Sequence, residues 1–186
     1  MKAKLLKLVR YNVLGVLCVL TPASIMAAEG NQGQLSSSDY KFVSEAVQGG
    51  MAEVQLGQIA RDRAADPAVK QFADKMVKEH TDADQQLTQL ASQKGATLPT
   101  DIPSAEKRET DRLLKLYGAD FDRAYMKRMV RDHEKDVKEF QREAKKASDT
   151  DVQSWANKTL PTLQEHLKMA QDVDKNIKGE TTPSIK

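Results

Sequence analysis

The sequence predicts an all-α protein, a bundle of four long helices with a long crossover between the second and the third. Three observations carry this. Apolar residues recur with a helical period through four stretches, near 38–65, 66–94, 120–147 and 149–177, and nowhere alternate as a strand requires. The stretches are bounded by recognisable signals such as Asp66-Pro67 and Gly95. The three histidines, His80, His133 and His166, each follow a carboxylate and fall near the middle of one of these stretches.

Ahead of the helices, Lys2, Lys4, Lys7 and Arg10 precede an uncharged, largely apolar run from Val13 to Ala28, and at Glu29 the chain turns polar. This is the layout of a secretory signal peptide over residues 1–28. The run is short for a membrane span, which needs about 20 residues. Cleavage is expected at Ala27 or Ala28; an uncleaved anchor is the alternative, because Ile25 or Met26 stands where the cleavage rule wants a small residue. Cys18, the single cysteine, leaves with the signal, so disulfides and thiolate metal sites are excluded from the mature chain. The whole chain carries 29 Lys+Arg against 27 Asp+Glu, and the signal holds four of the basic residues and no acidic one. The remainder is close to neutral with finely mixed charge, which argues against nucleic acid as a partner.

The domain is expected over 37–178. Ser38 or Asp39 is placed to cap the first helix, which runs to about Ala65 with Phe42, Ala46, Gly49, Leu56 and Ala60 on one face and Glu53 filling the vacancy in that face. Gly49, Gly50 and Gly57 each cost up to about 1 kcal/mol against Ala in a helix interior. They point to close approach of a neighbouring helix or, alternatively, to room for a ligand beside Glu53. Asp66-Pro67 starts the second helix, with Asp as cap and Pro where its missing N–H costs nothing. Its stripe is Val69, Phe72, Ala73, Met76, Ala83, Leu87 and Leu90, with His80 as the polar member, and Gly95 ends it.

The connection that follows contains Pro99 and Pro103, a short helical piece after Ser104 with Leu113, Leu114 and Leu116, and a break at Gly118. Such a segment can span the bundle, so the second and third long helices are expected to run parallel. The third runs from Asp120 to about Ala147 with Met126, Val130, Val137, Phe140 and Ala144 in register, and His133 among them. The fourth starts near Asp149 or Asp151 and reaches about Ile177 with Val152, Trp155, Thr159, Leu163, Ala170 and Val173, and His166 among them. Pro161 should bend it a turn before His166. Residues 179–186 read as a polar, disordered tail.

Residues equally far from a hairpin turn sit at the same height in a bundle. Counted from the turns at Asp66 and Asp149, Glu53, His80, His133 and His166 all fall at one level, facing inward. Three neutral imidazoles and a carboxylate form a natural four-ligand set for one divalent transition-metal ion such as zinc, copper, iron or manganese. Two other readings stay open: an inert polar layer that fixes helix register, and a cluster that loosens the core when its imidazoles charge. Glu79, Asp132 and Glu165 point about 100° away from their own histidines. They read as solvated carboxylates, with orientation of an imidazole on an adjacent helix as the alternative. Met76, Met129 and Met169 read as core filling rather than as thioether ligands, and Tyr125 as ordinary packing. No catalytic residues are assigned: no Gly-rich phosphate loop follows a strand, and no cysteine nucleophile is available.

The run Phe42 to Gly57 with Gly-Gly-Met-Ala-Glu-Val-Gln-Leu-Gly, the parallel blocks Phe72 to His80 and Tyr125 to His133, and Leu160-Pro161 followed by His166 resemble the exported bacterial family known as domain of unknown function 4142. The resemblance covers about residues 37–178. It implies a ferritin-like four-helix fold with a long crossover, and little about activity. Members of that family are often labelled outer-membrane proteins, although no amphipathic strands are present here to build a barrel. Ferritin-like di-iron proteins carry Glu three residues before His; here Val77, Val130 and Leu163 occupy those positions, which disfavours a di-iron centre. The sequence therefore points to a periplasmic bundle binding one ion through His80, His133, His166 and Glu53, in metal handling or envelope stress protection. The alternative is a metal-free structural or interaction protein of the envelope. Peripheral envelope association and self-association are left open.

Overall fold

A computed structural model describes residues 33–180, in five helices: α1 (Ser37–Arg63), α2 (Pro67–Gln93), α3 (Ser104–Leu113), α4 (Gly118–Lys146) and α5 (Thr150–Glu180). Residues 1–32, with the segment read as a signal peptide, and residues 181–186 of the expected tail lie outside the described residues. Among those described there is no strand, and no helix is long and apolar enough to cross a membrane. α1 packs along α2 and α4 along α5; the two pairs meet through α2 with α5 and α1 with α4, while α3 lies in the connection and leans on α4.

The buried side chains form two separate apolar clusters. One gathers Leu56 and Ala60 of α1, Phe72 and Met76 of α2, Phe121, Tyr125 and Met129 of α4, and Ala170 and Ile177 of α5. The other gathers Phe42 and Val47 of α1, Leu87 and Ala91 of α2, Val137 and Phe140 of α4, and Trp155 and Leu163 of α5. Each long helix thus passes from one cluster to the other. α2 and α4 make the passage in one direction and α1 and α5 in the opposite one, which is the parallel arrangement expected of the second and third long helices. Each fully buried large apolar side chain contributes about 1.5–3 kcal/mol, so the clusters hold the fold. The segment between them on each helix carries Glu53, His80, His133 or His166.

The helix ends are tied across the pairs. Asp66 Oδ1 accepts from the Ala68 backbone at 2.7 Å, with Pro67 in the first turn, as the sequence predicts. The cap of α1 is Ser36, whose Oγ accepts from Asp39 N at 3.1 Å, rather than Ser38 or Asp39. Asp39 is instead buried and accepts from the backbone N–H groups of Ser148 and Asp149, both at 3.1 Å, in the turn between α4 and α5. Asp122 makes the reciprocal link, accepting from Ala65 N and Asp66 N in the turn between α1 and α2. The buried Lys94 reaches Asp149 at 2.8 Å and Asp151 at 2.6 Å, joining the end of α2 to the start of α5. Asp149 Oδ1 accepts from Asp151 N and Val152 N, and so caps α5.

Gly95 ends α2 at φ +65°, a conformation that L residues avoid. Gly118, at φ +55°, opens α4 two residues before the expected start at Asp120. α3 stops at Leu113, so Leu114 and Leu116 lie beyond it; the carbonyl of Leu114 accepts from Arg63 Nη1 at 2.9 Å. α5 continues through Pro161 and runs on to Glu180, two residues into the stretch read as tail.

Candidate metal centre

Each polar side chain enters the interior from a different long helix: Glu53 from α1, His80 from α2, His133 from α4 and His166 from α5. All four are buried. The imidazole centroids form a nearly regular triangle, 5.6 Å from His80 to His133, 5.3 Å from His80 to His166 and 5.4 Å from His133 to His166. Among the described residues, these three can present one nitrogen apiece with all three nitrogens within 4.8 Å of one another. Glu53 flanks the triangle: its Oε2 is 2.9 Å from His80 Nε2 and its Oε1 is 3.3 Å from His133 Nδ1. Phe72 closes one side, 6.4 Å from the His133 ring.

Hydrogen bonds set two of the three tautomers. His133 Nδ1 is 2.9 Å from the Met129 carbonyl, which can only accept; Nδ1 therefore carries the proton, leaving Nε2 a bare lone pair. His166 Nε2 donates to Glu79 Oε2 at 2.6 Å, which leaves Nδ1 bare. His133 Nε2, His166 Nδ1 and His80 Nε2 are all buried and make no hydrogen bond, and neither do the two oxygens of Glu53, whose contact with His80 lacks hydrogen-bond alignment. The three imidazoles thus bring nitrogens within mutual reach, while Glu53 sits against His80 and the Nδ1 side of His133, outside that set of mutually close atoms; a buried polar atom without a partner ordinarily costs about 1–3 kcal/mol.

The electrostatics follow from crowding. Burial alone would raise the pKa of Glu53, but the positive potential of His80 and His133, with a smaller part from His166, outweighs it and brings the pKa down to about 2. Burial disfavours charge on His80, yet Glu53, with help from Asp136 and Asp84, holds its pKa above the ordinary value. His166 goes the other way, to about 4: burial dominates, the Glu79 hydrogen bond opposes it only in part, and the other two imidazoles add to the fall. The layer therefore combines an ionised carboxylate, a histidine inclined to charge beside it, and a histidine held neutral.

Glu79 is the carboxylate whose role differs from the solvated one expected. It is the residue before His80 on α2, and it serves His166 on α5, with Lys75 Nζ 2.8 Å from its other oxygen. Asp132 pairs with Arg128 at 3.0 Å and stays at the boundary, and Glu165 pairs with Lys75 at 3.2 Å while exposed to solvent. Met76 and Met129 are fully buried in the first cluster, and Met169 packs against it. The glycines divide by function. A Cβ on Gly57 would fall 2.7 Å from Val77 Cγ2 and 3.0 Å from the Ala73 carbonyl, which is close helix approach; on Gly50 it would fall 2.1 Å from Asp84 Oδ1.

Sequence reasoning missed Asp84 and Asp136. Both line a cavity of about 70 Å³ that reaches Glu53, His80 and His166. Burial raises the Asp84 pKa to about 7 and holds Asp136 well above the carboxylate range, the Glu53 charge adding to both. The signal was available: Asp84 follows His80 by one helical turn and Asp136 follows His133 by three residues, so each shares a face with its histidine.

Fold and site together define a class: an all-helical protein with three buried imidazoles and a carboxylate enclosed between two apolar clusters. The chain belongs to the family described as Domain of unknown function (DUF4142), whose sequence model matches residues 24–173. No curated protein matches it. Three solved structures share its fold. A DUF305 fragment from Deinococcus radiodurans is 16% identical, with TM-score 0.68 over 77% of this chain and 99% of that one. A DUF305 protein from Streptomyces coelicolor, described as secreted, is 14% identical, with TM-score 0.65 over 80% of this chain and 96% of that one. A Bacillus halodurans protein described as a spore coat protein is 16% identical, with TM-score 0.63 over 82% of this chain and 95% of that one.

Proposed function

We propose that this chain is an exported, ferritin-like four-helix bundle that binds one divalent transition-metal ion through His80, His133, His166 and Glu53, and that it serves in metal handling or envelope stress protection. The observation that carries the reading is the set of three buried imidazoles that can each present a nitrogen within 4.8 Å of the other two, His133 and His166 each having one ring nitrogen already engaged. Metal-bound histidines ordinarily donate the second N–H to a carbonyl or carboxylate, which fixes the ring and raises its basicity; His133 donates to Met129 O and His166 to Glu79. Nitrogens bound at about 2.05 Å around a tetrahedral ion stand roughly 3.3 Å apart, so the rings need only a modest inward shift from separations within 4.8 Å. The 2.9 Å between Glu53 Oε2 and His80 Nε2 suits two ligands of one ion. Export is supported by the basic and then apolar N-terminus, and agrees with the description of the Streptomyces coelicolor neighbour as secreted.

A metal-free polar layer is the competing reading, favoured by the charge pairing of ionised Glu53 with His80, whose pKa is raised beside it. It leaves His133 Nε2 and His166 Nδ1 buried without partners, at about 1–3 kcal/mol apiece, which a layer selected only for packing would avoid. Cobalt(II) titration of the untagged, chelator-treated protein separates the two. One equivalent per chain should develop the visible absorption of a four-coordinate nitrogen and oxygen site, and His133→Ala should abolish it. An unchanged spectrum of free cobalt in the parent would leave the metal-free layer standing.

A further inference from the structure

The cavity beside the histidines carries carboxylates along its length. At its outer end Glu45 and Lys135 are exposed and Glu139 is half-buried; at its inner end Glu53, His80 and His166 are buried. Between these ends stand Asp84 and Asp136, half-buried, with neither a hydrogen bond nor an ion pair among the described residues. Lys135 and His80 are the cations facing them. Gly50 makes the space: an added Cβ would lie 2.1 Å from Asp84 Oδ1, so the carboxylate rests against the α1 backbone where only glycine admits it. Beyond it, Glu53 is 4% exposed and lines the same cavity with both oxygens free of hydrogen bonds. Burying carboxylates beside one another is costly unless a cation joins them, and a packing role would be met by apolar side chains.

We infer that this cavity is the route by which a divalent cation reaches the histidines, with Asp84 and Asp136 as the carboxylates that take the ion while it sheds water. The inference rests on the metal-binding reading above and adds the path and the order of ligands. An ion that ends on imidazole nitrogens must exchange its waters for protein ligands on the way in. Oxygen ligands from Asp84, Asp136 and Glu53 replace the lost waters, and the imidazoles then take the ion. The oxygen lining suits hydrated divalent ions and not soft monovalent copper.

Stopped-flow loading of cobalt(II) into the metal-free protein tests this. In Asp84→Asn/Asp136→Asn, which leaves no carboxylate on the path between the mouth and Glu53, the loading rate should fall by about tenfold or more. The final stoichiometry and the dissociation constant should stay close to those of the parent. The same two amide substitutions on the outer surface, in Asp111→Asn/Glu134→Gln, should leave the rate unchanged. Equal rates in parent and cavity variant, or equal slowing by the surface variant, would overturn the inference while leaving the metal site intact. A parent stoichiometry of two that drops to one in the cavity variant would overturn it in favour of a second resident ion. A parent that takes up no cobalt at all would instead overturn the metal-binding reading.

Discussion

Glu79 on α2 accepts a 2.6 Å hydrogen bond from His166 on α5, although it is adjacent in sequence to a different histidine, His80. The carboxylate is itself steadied by Lys75. Burial raises its pKa, and Lys75 with His166 more than reverses this, so it stays ionised. It therefore orients the His166 ring and directs the Nδ1 lone pair toward the other two imidazoles.

Removing this support should weaken metal binding without touching a ligand. Glu79→Gln is expected to lower affinity by about 10–100-fold, read by competition with a chromophoric chelator, with helix content unchanged by circular dichroism. Glu165→Gln, at the exposed partner of Lys75, should have no such effect. Equal affinities for parent and Glu79→Gln would remove the positioning role.

The metal-free protein should show opposed titrations that single variants separate. His166 has an ordinary pKa of 6.5 and a folded value of about 4. Between those pH values the unfolded chain binds the proton and the native one does not, so this residue contributes a stability that is lost as pH falls through the window, on the order of 3 kcal/mol in all. Asp84, raised from 3.8 to about 7, binds its proton first in the native state and so adds stability as pH falls through that range. Urea unfolding across pH 4 to 7 should show His166→Gln gaining on the parent as the pH drops and Asp84→Asn losing ground. Parallel curves for parent and both variants would contradict these assignments.

The glycines of α1 make a graded set. Gly49→Ala meets no atom within 4 Å and should stabilise by up to about 1 kcal/mol through helix propensity. Gly50→Ala and Gly57→Ala put a Cβ against Asp84 and against Val77 with the Ala73 carbonyl, and each should cost about 1–3 kcal/mol. Denaturant midpoints of the three variants decide this. A stabilising Gly50→Ala would mean that Asp84 does not rest on α1.

Asp39 and Asp122 each satisfy two backbone N–H groups in the turn of the opposite helix pair. Asp39→Ala and Asp122→Ala should each lose about 1–3 kcal/mol, with Asn recovering part of it. Thermal melts of the two series check the expectation, and a loss confined to one aspartate would show that the links are not equivalent.

Much of this architecture is legible in the sequence because one-dimensional spacing carries it. The apolar period marks the helices, Asp66-Pro67 and Gly95 mark two ends, and equal distances from the turns bring Glu53, His80, His133 and His166 to one level. What escaped depends on which atoms meet across helices. Asp39 has the composition of a cap, yet it bonds to a turn more than 100 residues away, and Ser36 does the capping. Glu79 lies about 100° from its own histidine, and only the α2–α5 packing brings it to His166. Asp84 and Asp136 were within reach of the helical spacing, but charged residues are common in this chain, and their burial depends on Gly50 and on the cavity.

If three imidazoles and Glu53 hold one ion, the metal content of the protein will show it. The untagged protein recovered from its own compartment and weighed by elemental mass spectrometry should carry close to one equivalent of a single transition metal, absent from His80→Ala/His133→Ala. A parent that is empty as recovered, and remains so after incubation with zinc, copper, manganese and ferrous iron, would contradict it and leave the layer as a packing device.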